Sequence, residues 1–143
     1  MANANWFTWA LLSAFFAGAT AVLAKLGLGD INSNLATAIR TTIVLLFAWI
    51  VVFVASPKIS FAGIAPRAWL FLTLSGIATG LSWLCYFRAL QIGEASRVAP
   101  IDKLSIVFVL VFAALFLREK LGWQQTIGAT LITIGAIVLA IKR

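Results

Sequence analysis

Histidine is absent from this 143-residue chain, and cysteine occurs once, as Cys85. The first absence removes histidine metal ligands, Ser-His triads and histidine proton relays. The second leaves no disulfide framework and no cysteine metal cluster. Acids are nearly as scarce, with four Asp and Glu residues against eleven Lys and Arg. Paired-carboxylate chemistry is therefore thinly supplied, so no enzyme, cofactor or metal site is expected. The resulting net charge of +7 is not a nucleic-acid signal. The basic residues stand singly between apolar runs and nowhere form a cluster of five, so no nucleic-acid partner is expected.

What the chain has in excess is apolar side chain. It is 63% hydrophobic and only 10% charged, with a mean hydropathy of +1.08. A water-facing surface cannot be built from that composition, so the solvent is a bilayer. A spanning helix needs about 20 mostly apolar residues, and five such runs occur, near 6–24, 35–54, 69–90, 98–117 and 123–141. The runs are too long and too uniform for barrel strands, which alternate over about 10 residues. The N-terminus places no positive charge before its first run, so that run reads as a retained span rather than a secretory leader. The expected fold is an all-α integral membrane protein of five transmembrane helices in a single domain, 1–143. Trp6, Trp9, Trp69 and Trp123 stand near span ends, as interfacial anchors do.

Three groups of residues stand out within the spans. Gly76 and Gly80 form a GxxxG in the third span, and Gly128 and Gly135 mark the fifth. Small residues let helix backbones approach closely, either inside one chain or along a dimer seam. Trp83, Tyr86 and Phe87 follow the Gly76–Gly80 segment, and i,i+3 and i,i+4 spacing puts Tyr86 and Phe87 on the Trp83 side of the helix. With Ser82 and Ser105 as small polar handles, they suit a mostly apolar pocket for a small molecule. Packing or lipid-facing aromatics fit the same pattern.

The third group is charged. A charged side chain inside a span costs about 2.5–3.5 kcal/mol on insertion scales and faces a partner or a wet cavity. Arg40 lies about 8 Å into the second span at 1.5 Å per residue. Asp102 and Lys103 lie at similar depth in the fourth, just after Pro100, and Arg88 lies near the end of the third. All four belong to the C-terminal side of the bundle. They read either as an ion network clamping spans two, three and four, or as a gate or substrate contact. Asp102 is the acid placed for proton coupling, with uncoupled or exchange mechanisms equally open.

Five spans put the termini on opposite sides. Lys58, Arg67, Arg118 and Lys120 fall on the N-terminal side. Lys25, Arg88, Arg97, Lys142 and Arg143 fall on the other, once the within-span Arg40 and Lys103 are set aside. Five against four barely selects an orientation under the positive-inside rule.

Three stretches carry a family resemblance: AIRTTIVLLF around Arg40, YFRALQIGEASRVAPI at 86–101, and FLREKLGWQQTIGATLITIGAIVLA at 116–140. With the five-span layout they resemble one EamA-type domain of the drug/metabolite transporter superfamily. The resemblance implies a secondary transporter of small metabolites or drugs in the bacterial inner membrane. It also implies half of a ten-helix inverted repeat, with the cavity between the halves. The usual members carry both halves in one chain. A single copy therefore implies an antiparallel, dual-topology homodimer, which the balanced charge tally independently favours; a separately encoded partner half is the alternative. The four-span small multidrug exporters of the superfamily rely on a glutamate in the first span. None is present here, so that proton chemistry does not carry over.

Overall fold

A computed structural model describes residues 3–55 and 63–141. All regular structure among them is helical: α1 Asn3–Leu28, α2 Ser33–Ala55, α3 Pro66–Ile92, α4 Ala95–Asp102, α5 Ser105–Phe116 and α6 Trp123–Ala140. Together α4 and α5 make one apolar span, so the helices supply five spans of 18 to 27 residues. At 1.5 Å per residue that is about 27 to 40 Å, so the shortest nearly matches and the others exceed a hydrocarbon core of roughly 30 Å. Lys58, Lys142 and Arg143 of the charge tally lie outside the described residues.

Backbone polar groups in lipid have no water to bond, so each segment must satisfy its own. The hydroxyls follow the same rule. Thr37, Thr41, Thr42, Thr79, Thr130 and Thr133 each donate to the carbonyl four residues earlier, at 2.8–3.0 Å. Helix ends are set by ordinary signals. Gly29 stops α1 with φ of +39°, the left-handed region glycine enters without strain. Three residues later Asn32 accepts the Asn34 N–H through its side chain at 2.9 Å and caps α2. Pro66 occupies the first position of α3, where no amide proton is needed.

The fourth span is not one continuous helix. The helix runs through Pro100 and breaks at Lys103–Leu104. The Lys103 N–H bonds the Pro100 carbonyl, Leu104 bonds Ile101, Ile106 bonds Lys103 and Val107 bonds Leu104. These i→i−3 bonds are a tight 3₁₀ passage between two α segments. Upstream, Pro100 has no N–H for the Ser96 carbonyl, so α4 is already one bond short.

The chain divides into two compact units. One comprises Gly27–Gln91, where Leu28, Ser33, Thr37, Phe87 and Leu90 are buried. The other takes in the chain up to Leu26 and from Ile92 onward; α6 packs there chiefly on α4, and Ala21, Ala113 and Ala136 are buried. Large apolar side chains elsewhere are open, including Phe15, Phe47, Leu72 and Phe116, the last 77% exposed. In water that surface would collapse. In lipid it is already solvated, since acyl tails are as apolar as leucine.

Candidate functional site

The α2–α3 unit joins two residue groups that the sequence presents separately. Arg40, about two turns into α2, extends its guanidinium over α3. Its Cζ lies 4.3 Å from the Trp83 ring centroid and 5.5 Å from that of Phe87. Trp83 and Phe87 are four residues apart and present a common face. Tyr86, one residue before Phe87, meets it edge-on at 6.5 Å between centroids. Phe87 is buried, whereas Trp83, Tyr86 and Arg40 are half-buried. A desolvated cation–π contact contributes about 2 kcal/mol, comparable with the cost of placing arginine in a span. Arg40 makes no hydrogen bond or ion pair among the described residues.

Arg88 does something different. Its guanidinium donates to Gln91 Oε1 at 2.8 Å, and Gln91 Nε2 donates to the Ile31 carbonyl at 3.0 Å. This relay ties the end of α3 to the α1–α2 turn, within one unit. Arg88 is exposed, as an interfacial cation should be.

In the other unit Lys103 Nζ bonds Asp102 Oδ2 at 3.3 Å, with side chains 54% and 36% exposed. The two are chain neighbours on a helix end, where the tight turn lets them meet. Arg97 pairs with Glu94 at 3.1 Å one turn earlier. Lys25, at the end of α1, donates to the Gly93 carbonyl at 2.8 Å. Lys103 also borders an open groove of about 420 Å³ between α4 and α6, lined by Ala99, Pro100, Ile132, Gly135 and Ala136. Ser105 opens α5 and is exposed.

A methyl group built on Gly76, Gly80, Gly128 or Gly135 would meet nothing within 4 Å among the described residues. Sequence reasoning did not single out Lys25 or Gln91 as linkers. Both act through a main-chain carbonyl, which no residue pattern marks. Their one cue is position: a polar side chain at the last turn of a long span.

Five apolar helical spans with sparse charge define an all-α integral membrane protein. The chain belongs to the EamA-like transporter family, whose model matches residues 4–141. It is similar to a Sinorhizobium sp. protein described as "Uncharacterized transporter in cobO 3'region", with 52% identity over 137 residues, 96% of this chain and 97% of that one. It is also similar to the "Probable 4-amino-4-deoxy-L-arabinose-phosphoundecaprenol flippase subunit ArnF" of Proteus mirabilis, with 31% identity over 83 residues, 57% of this chain and 61% of that one. No solved structure matches it.

Proposed function

We propose that the chain is a single EamA domain acting as one half of a ten-helix secondary transporter. It pairs with a second copy in the opposite orientation and moves small metabolites or drugs across the bacterial inner membrane by alternating access. The carrying observation is a transporter-family match to a chain with five spans. An odd number of spans inverts the second half of a repeat, and repeat interfaces are where transporters place their sites. A nearly even charge tally supports insertion both ways. The glycines of α3 and α6, open in the single chain, supply faces on which a second copy packs closely. In this reading Trp83, Tyr86 and Ser105 line the cavity, and Arg40, Arg88, Asp102 and Lys103 form its gate or ion network.

The test is a topology reporter fused to the C-terminus. Signal from both sides of the membrane is expected, and a strictly single orientation removes the antiparallel homodimer. Uptake into liposomes holding the purified protein, assayed with a metabolite panel, tests transport itself.

A second reading has one observation behind it: the Proteus mirabilis relative is named as a subunit. Here the chain is a half that needs a separately encoded partner. That reading predicts one orientation, and no transport until the partner is co-expressed.

A further inference from the structure

The Arg40 guanidinium lies over the Trp83 and Phe87 rings, a contact that uses no hydrogen-bond acceptor. The guanidinium carries five N–H donors in its plane, and none is bonded among the described residues. Arg88, Lys25, Arg97 and Lys103 have assigned acceptors in Gln91, Gly93, Glu94 and Asp102, and Arg67, Arg118 and Lys120 lie at span ends rather than two turns inside one. The Gly27–Gln91 unit contains one carboxylate, Asp30, which precedes α2 in the chain. A permanently charged fork is thus held two turns inside an apolar helix by two aromatic rings.

We propose that Arg40, stacked on Trp83, is the receptor for an oxyanion, a phosphate monoester or carboxylate borne on a small apolar body. The planar fork matches either group through two parallel hydrogen bonds. Trp83, Phe87 and the Tyr86 ring supply the apolar bed beside it. Given the transporter reading above, on which this role rests, the transported solutes are amphiphilic organic anions rather than cations. The same chemistry is offered by a bilayer lipid's phosphate, and the experiment separates the two sources.

Binding is measured by calorimetry on the full chain in nanodiscs of zwitterionic lipid, with empty discs subtracted. The probes are phenyl phosphate, benzoate, benzylammonium and benzyl alcohol. Phenyl phosphate or benzoate is expected to bind at least about tenfold more tightly than benzylammonium, in line with a charge-assisted bidentate pair. Arg40→Gln is expected to erase that preference. Arg40→Lys should keep a weakened one, because an ammonium cannot fork. Trp83→Leu should weaken anion binding while leaving benzyl alcohol less affected. Should Arg40→Gln fail to fold, the lysine and leucine variants carry the test.

Equal binding of anion and cation, or an anion preference untouched by all three variants, overturns the proposal. Replacing part of the lipid with phosphatidylglycerol distinguishes the sources: competition that depends on Arg40 assigns the site to the head group, and its absence assigns it to the soluble anion. Flux measured in liposomes keeps the two readings apart. Binding without flux sinks transport and leaves the receptor. Flux that is the same in wild type and Arg40→Gln sinks the receptor and leaves transport.

Discussion

At the scale of residues, charge is handled locally. Arg40 lies over indole and phenyl rings, and Lys25 finds a carbonyl at Gly93. A hydrogen bond from a charged donor contributes about 1.5–3 kcal/mol when buried; the half-buried Lys25 falls at or below the low end. Lys25→Met is therefore expected to lower thermal stability in detergent by about 1 kcal/mol. Gly29 makes a backbone prediction. Its φ of +39° disfavours any side chain by about 1–2 kcal/mol, while an added methyl would touch nothing. Gly29→Ala should destabilise by about 1 kcal/mol through strain alone. Gly18→Ala, in mid-helix with equal space, should not. Paired melting curves check both.

At the scale of elements, the divided fourth span is the feature with most consequence. Tight i→i−3 turns within a span mark places where two helical segments can reorient. Pro100→Ala returns an N–H to the Ser96 carbonyl, and hydrogen exchange at residues 101–107 is expected to slow. Unchanged exchange would place the origin of the break in the Lys103–Leu104 turn alone. The Asp102–Lys103 pair sits at that break and is substantially exposed, so its contribution to stability is small, roughly 0–1 kcal/mol. An Asp102→Asn, Lys103→Gln double variant should melt within about 1 kcal/mol of the parent. Transport lost at that unchanged stability assigns the pair to the gate, whereas a larger stability loss assigns it to a clamp.

At the scale of the whole molecule, orientation rests on very few charges. Removing Arg97 changes a tally of five against four to four against four. Arg97→Ser is therefore expected to shift a C-terminal reporter measurably toward the opposite side of the membrane. Packing between copies is tested at Gly80. Gly80→Leu meets nothing within 4 Å at its new Cβ in the single chain, so helix content by circular dichroism should hold. Cross-linked dimer should fall if that face is the seam, and unchanged cross-linking places the seam elsewhere.

Composition determined the solvent, and the length and placement of the apolar runs determined the helical class and the number of spans. Burying 63% apolar side chains in water is impossible, and lipid admits uncapped polar backbone only in helices or barrels. The same scarcity of charge made each within-span ion conspicuous, so Arg40, Arg88, Asp102 and Lys103 were legible one by one. The rings that receive Arg40 were not. Spacing along one helix gives a face but not what faces it, so the meeting of Arg40 with Trp83 and Phe87 awaited the tertiary structure. The break after Pro100 was equally hidden. Proline announces a missing donor, but where the chain tightens in response depends on which carbonyls its neighbours can reach. Lys25 and Gln91 were the least legible, because a main-chain carbonyl is common to every residue and only the fold selects one.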